Sequence, residues 1–269
     1  MESNPPAEAT VVKACCAALY ESDWVRLLLG DSFHPGGLGL TERLGELLRL
    51  GPGCRVLDVA SGKGASAIHL ARCFGCEVVG VDYGAKAVAE ATAAAETAGV
   101  ADRVRFTPGD AESLPAADGE FDALICECAF CTFPGKRAAA AEFRRVLRPE
   151  GSVGLSDLTR GGALPAELEN LLAWIACVAD AQPIDRYAAC LEGAGFVIEN
   201  SETHDDALGD IVSNIRAKLL GAELMVKLKK LDLPGVDLEQ AKQVARAAAE
   251  AVRRGTLGYA IIIGTKRTA

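Results

Sequence analysis

The run Val56-Leu57-Asp58-Val59-Ala60-Ser61-Gly62-Lys63-Gly64 constrains the fold of this chain more than any other stretch. Apolar residues leading to Asp58 read as a buried strand, and the small turn that follows opens a helix over Ala65–Phe74. In such a turn Gly62 and Gly64 let backbone N–H groups approach a ligand closely at a helix start. A second strand, Glu77-Val78-Val79-Gly80-Val81-Asp82, again ends in an acid. A carboxylate at that point of a βαβ unit is placed to accept hydrogen bonds from both hydroxyls of a ribose. The pattern is that of a nucleotide-type cofactor site. A dinucleotide fold shares much of it, so the glycines alone do not choose the cofactor.

The downstream sequence narrows the choice. Strand Val104–Thr107 leads into Gly109-Asp110-Ala111-Glu112, where a carboxylate can take an adenine amino group. Phe121-Asp122-Ala123-Leu124-Ile125-Cys126, a helix through Phe143-Arg144-Arg145-Val146-Leu147, and the turn Arg148-Pro149-Glu150-Gly151 follow in order. Together these segments resemble the ordered motifs of the class I S-adenosylmethionine (SAM)-dependent methyltransferases over roughly residues 40–160. The resemblance implies SAM as cofactor, held by Asp58, Ala60, Ser61, Gly62, Gly64, Asp82, Tyr83, Asp110, Ala111, Cys126 and Glu127. Ala60 stands where the family usually has the first glycine of its turn, a change that a backbone of negative φ tolerates.

Alternation of strand and helix from Gly51 to Ser156 predicts an α/β fold, a doubly wound, mainly parallel seven-stranded sheet of Rossmann-like type. Ligands of such sheets lie beyond the carboxyl ends of the strands, which is where Asp58, Asp82, Asp110 and Cys126–Cys128 fall. Residues 1–50 are expected to form a helical segment closing over the cofactor, with a broken pattern over Thr10–Leu29, a loop at His34–Gly37, and a helix capped by Thr41 and running Glu42–Leu50. The core then spans 51–200 and includes a helix over Pro165–Ala179. Residues 201–257 form a helical insert, a lid or a dimerisation element, and 258–269 hold the final strand.

A net charge of −9 argues against nucleic-acid or membrane-surface partners, and no run of 18 apolar residues predicts a membrane span. The expectation is a cytoplasmic protein with a small-molecule substrate, its homodimer formed through the helical insert. Ten cysteines are many for such a chain. In a reducing compartment they point to ligands, nucleophiles or small core residues, and not to disulfides. Cys54, Cys73 and Cys76 read as core residues, and the vicinal Cys15-Cys16 pair diverges on a helix and chelates poorly.

Ile125-Cys126-Glu127-Cys128-Ala129-Phe130-Cys131 is the unusual segment. On an extended strand Cys126 and Cys128 share a side, and a turn near Ala129 brings Cys131 toward Cys128. Neither a second cysteine pair nor a nearby histidine completes a zinc set here, so no metal ligands are assigned. The segment resembles the arsenite methyltransferases, and that resemblance implies that Cys128 and Cys177, with Cys131 beside them, hold trivalent arsenic as thiolates for methylation. Further cysteines that this family carries upstream of the first strand are absent around His34-Pro35-Gly36-Gly37. An O-, N- or C-methyltransferase of a small metabolite, with His34, Glu127 or Asp157 orienting the acceptor, is the alternative. A SAM-fold protein that captures metalloids without turnover is the third reading.

Overall fold

The computed structural model describes residues 13–14, 34–168, 178, 180–230 and 237–267. Seven strands form one sheet in the order β3-β2-β1-β4-β5-β7-β6. These are β1 (Arg55–Val59), β2 (Glu77–Asp82), β3 (Val104–Pro108), β4 (Phe121–Glu127), β5 (Leu147–Arg160), β6 (Val197–Thr203) and β7 (Leu257–Thr265). The pairings from β3 through β5 are parallel, while β7 runs antiparallel to both β5 and β6. The chain therefore forms the expected doubly wound, mainly parallel sheet.

Burial follows strand position. Interior strands β1 and β7 are buried along nearly their whole length, and edge strand β6 alternates exposed with half-buried residues, as a one-sided strand must. The turn expected at Arg148–Gly151 is an excursion inside β5. Phe121 pairs with Leu147, Ala123 pairs with Ser152, and Glu150 takes φ +63° to fold the intervening residues out of the ladder.

Seven helices are described: α1 (Gly37–Leu47), α2 (Ala65–Phe74), α3 (Ala85–Ala98), α4 (Lys136–Val146), α5 (Ile184–Gly193), α6 (Asp205–Lys227) and α7 (Leu238–Arg253). Helix α1 begins four residues before the expected cap at Thr41. Gly36, at φ +74°, turns the chain into the helix, and Thr41 sits buried within it, its hydroxyl engaged elsewhere. Leu44 of α1 lies over Gly154 of β5, where a Cβ would come within 2.7 Å of its side chain, so the glycine lets the helix seat on the sheet. The helix expected over Pro165–Ala179 falls mostly outside the described residues; within them, Ala166–Leu168 form one 3-10 turn.

Between β6 and β7 the chain makes the helical pair α6 and α7. Asp237 caps α7 by accepting the Gln240 N–H, and Lys242 of α7 reaches Glu223 of α6 at 2.8 Å. Among the described residues no helix is long and apolar enough to cross a membrane.

The closest packing in the sheet is at Gly80 of β2, where an added Cβ would lie 2.2 Å from Phe106 Cδ1 and 2.7 Å from Ser61 Oγ. Gly80→Ala must displace a half-buried aromatic ring and the buried Ser61 hydroxyl together. A loss of about 1–3 kcal/mol is expected in chemical denaturation, the usual cost of overpacking, and trimming Phe106 to leucine in the same chain should recover part of it.

Candidate functional site

Parallel strand order reverses between β2-β1 and β4, and ligands of such sheets bind in the crevice this leaves at the carboxyl ends. Three carboxylates meet there: Asp58 of β1, Asp82 of β2 and Glu127 of β4. Asp58 is buried, and its Oδ2 has no hydrogen-bond partner among the described residues. Burial raises its pKa well above the ordinary carboxylate value, and the nearby charges of Glu127 and Asp82 raise it further. Only the Ala67 N–H opposes them. An ionised carboxylate with an unpartnered buried oxygen is costly. The arrangement suits a ligand that brings positive charge or hydrogen-bond donors.

Asp82 organises the turn between β1 and α2. Its Oδ2 accepts the Gly62 N–H at 2.7 Å and its Oδ1 accepts the Gly84 N–H at 2.8 Å. The Gly62 N–H, expected to face a ligand, thus ties the loop to the second strand. Space beyond the Gly62 Cα is open, whereas a Cβ on Gly64 would lie 2.4 Å from Phe106 Cζ. Gly62 clears room for a bound group, and Gly64 permits packing. Ala60 departs from expectation: its φ is +60°, the left-handed region in which a side chain costs roughly 1–2 kcal/mol. The alanine is held there by its neighbours, since the Ser61 N–H donates to the Val81 carbonyl and the Gly64 N–H to the Ser61 carbonyl. Ser61 is itself buried, and its Oγ also lacks a partner among the described residues. Tyr83, just past β2, is exposed.

At the end of β3, Asp110 Oδ1 accepts the Glu112 N–H at 2.9 Å, which wraps Ala111 into a tight turn. Lys13 reaches the same turn, its Nζ 2.8 Å from Asp110 Oδ2 and 2.8 Å from Glu112 Oε2. Desolvation lowers the Lys13 pKa, but the hydrogen bonds to Asp110 and Glu112 prevail and leave it raised. A residue near the start of the sequence therefore touches the predicted adenine position.

At the end of β4 the strand alternation stops early. Cys128 has φ +51° and its N–H donates to the Ser156 carbonyl at 2.7 Å. It has left the extended strand, so Cys126 and Cys128 are not an in-register pair on one side. Cys126 is sealed in the core, its thiol pKa pushed well up by burial and then by Asp157, Asp58 and Glu127. Cys131 is also fully buried, on a 3-10 turn whose Cys131 N–H donates to Asp157 Oδ2 at 2.8 Å. Asp157 further accepts the Leu158 N–H, so this acid shapes the turn. Cys128 alone of the three is partly exposed. Cys177 lies outside the described residues, as do Cys15 and Cys16.

Glu127 collects a polar cluster that sequence reading only partly named. Thr41 Oγ1 donates to its two oxygens at 3.2 and 3.1 Å, and Ser156 Oγ donates at 3.4 Å. His34 Nε2 lies 3.7 Å from Glu127 Oε2, and the Tyr259 hydroxyl donates to Ser156 Oγ at 3.0 Å. Burial raises the Tyr259 pKa well above the usual phenol value, with the charges of Cys128 and Glu127 adding to it. The sequence points to His34 and Glu127 near the acceptor but not to Thr41, Ser156, Tyr259 or Lys13: Thr41 reads as a helix cap, Ser156 and Tyr259 sit in apolar strands, and no pattern marks the lysine.

The family model described as a methyltransferase domain matches residues 56–151. Over that segment the chain is similar to methyltransferase domains. The segment holds Asp58, Asp82, Asp110 and Glu127. The 27-O-demethylrifamycin SV methyltransferase of Amycolatopsis mediterranei is 33% identical over 166 residues, 61% of this chain and 61% of its own length. An arsenite methyltransferase of Aquipseudomonas alcaligenes is 35% identical over 172 residues, 58% of this chain and 48% of its own length. The chain thus spans about three fifths of the first relative and about half of the second. Among solved structures, the cyclopropane synthase MmaA2 from Mycobacterium tuberculosis superposes with a TM-score of 0.77 at 17% identity, covering 99% of this chain and 100% of that one. This likeness establishes the fold across the sheet and the helical pair alike.

Buried without a partner for its Oδ2 among the described residues, Asp58 costs stability as an ion. Its folded pKa lies above the unfolded value, so its contribution is intact below about pH 4 and is lost as pH rises through the folded pKa, at about 1.4 kcal/mol per pH unit. Asp58→Asn is therefore expected to match the parent near pH 4 and to exceed it in Tm at pH 7. Parallel thermal melts across that range would show a growing gap; a constant gap would contradict the assignment.

Proposed function

We propose that the protein is a SAM-dependent methyltransferase of a small acceptor. The observation that carries this reading is the convergence of Asp58, Asp82 and Glu127 with a buried, unpartnered Asp58 oxygen. A cationic sulfonium cofactor with an amino group and ribose hydroxyls supplies what those carboxylates lack. When bound, it offers an electrophilic methyl group on positively charged sulfur. Asp82 would take the ribose hydroxyls with its remaining lone pairs, Tyr83 and the Asp110–Ala111 turn would flank the adenine, and the loop Ala60–Gly64 would pass under the amino-acid end. Cys126 and Glu127 would close the floor, Cys126 through its backbone alone. Residues 1–50 act in this reading as the cover of the cofactor, and the contact of Lys13 with Asp110 supports it.

For the acceptor, trivalent arsenic held as a thiolate complex is the first reading. Cys128 stands partly exposed beside the carboxylates, and Cys177 is its proposed partner, with Cys131 behind the turn. Soft thiolates suit a thiophilic centre, and fixing it in line with the methyl group supplies most of the rate. Cys128 and Cys177 would hold arsenic with its lone pair toward the methyl group, the cofactor would supply the electrophilic carbon, and an added thiol would serve as reductant for the pentavalent product. The second reading is methyl transfer to a hydroxyl, favoured by the His34, Thr41 and Glu127 cluster, in which His34 or Glu127 takes the proton. The helical pair is assigned to self-association, with exposed Leu220 and Leu224 on α6 and Leu228 at its C-cap as the contact, and the site of action to the cytoplasm.

S-adenosylhomocysteine release from SAM with arsenite and a thiol reductant tests the proposal. Turnover is expected in the parent and to fall by about 100-fold or more in Cys128→Ser and Cys177→Ser, as when a reactant is no longer positioned, with SAM affinity unchanged. SAM binding without arsenite turnover, but with turnover on a phenol or alcohol that His34→Ala abolishes, would move the acceptor to the second reading. Absence of SAM binding by calorimetry would sink both.

A further inference from the structure

Outside the cofactor crevice, Glu42, His69 and Cys73 come together on the surface where α1 crosses α2. Among the described residues they are the one group of three such side chains whose ligand atoms all lie within 4.8 Å of one another. His69 and Cys73 are four residues apart on α2 and so share a face. Glu42 arrives from α1 because the two helices touch closely at Gly45, where a Cβ would lie 2.5 Å from Phe74 Cε2 and 3.1 Å from Leu70 Cδ2. Small size at one position brings a carboxylate to an imidazole and a thiol far along the chain. Cys73 is exposed, contrary to its expected place in the core, while Cys76 is buried as expected, its thiol pKa pushed up to about 11 by burial.

The distances are those of a coordination shell. His69 Nε2 lies 3.4 Å from Glu42 Oε2 and 3.5 Å from Cys73 Sγ. Bonds of about 2.0–2.1 Å to nitrogen and oxygen and about 2.3 Å to sulfur, arranged tetrahedrally, put the N···O edge near 3.4 Å and the N···S edge near 3.5 Å. A thiolate, an imidazole and a carboxylate together select a borderline cation over magnesium or calcium.

We propose that Glu42, His69 and Cys73 bind Zn²⁺, with a water in the fourth position. Binding releases the Cys73 thiol proton to solvent and involves no redox change. The half-exposed Glu42 leaves an open entry path. The site links α1 to α2, and the residue next to Glu42 is Thr41, which donates to Glu127 in the crevice. A bound ion would therefore hold the helix that supplies one wall of the cofactor site.

The test is Co²⁺ titration of the reduced, chelator-treated full chain, followed by Zn²⁺ displacement. One equivalent should bind, with the visible bands of tetrahedral cobalt and a thiolate-to-cobalt charge-transfer band. His69→Ala and Cys73→Ser should each lose the spectrum and weaken Zn²⁺ binding by more than the roughly 10–100-fold that outer-shell partners are worth. Glu42→Gln should retain the charge-transfer band with reduced affinity. Zn²⁺ should raise the Tm of the parent and not that of Cys73→Ser, whose exposed position leaves folding intact by circular dichroism. A folded parent with no cobalt spectrum would overturn the proposal. So would a thiolate band that survives Cys73→Ser and disappears in Cys128→Ser, because it would place the ion on the crevice cysteine.

Discussion

Everything at the carboxyl edge of the sheet is arranged around an unfavourable burial, that of Asp58 between Asp82 and Glu127. Two of the three acids have their charge answered within the protein. Asp82 is met by two backbone N–H groups and Glu127 by two hydroxyls, with His34 close by. Asp58 retains an oxygen with no described partner. The fold tolerates this because the site sits at the end of a sheet whose middle strands are almost wholly buried, so the cost is carried by a large apolar core. Local destabilisation of this kind persists only where packing elsewhere over-determines it.

The architecture was legible because hydrophobic period and turn chemistry are local. Val56–Asp58, Val78–Asp82 and Leu124–Cys126 announce strands that end in polar groups, and Gly75 and Gly99 close their helices in the left-handed conformation that glycine permits. What stayed hidden depends on contacts across the fold. Nothing near Thr41 reveals that its hydroxyl serves Glu127 and not a helix end, and nothing near Ala60 or Cys128 reveals a positive φ. Alanine and cysteine are placed there by neighbouring strands, against their own preference. Lys13 and Asp110 are joined by the path of the chain, which has no period.

Helix α1 illustrates how one element can serve two regions. Leu44 and Gly45 seat it against β5 and α2, Thr41 points to the crevice, and Glu42 faces a different side toward His69. Because helix positions one apart diverge by about 100°, the crevice and the surface cluster are read from adjacent residues of a single rigid body. A small rotation of α1 would alter both at once.

The antiparallel β7 has a consequence for how the molecule is made. It lies between β5 and β6, yet it is synthesised after both and after the two helices α6 and α7. Until residues 257–265 leave the ribosome, β5 presents an unpaired edge and β6 has no described strand to join. Nascent chains would therefore carry two open edges through the translation of more than fifty residues, counted from Thr203 to Leu257, a window in which strand-to-strand association between neighbouring chains competes with closure of the sheet.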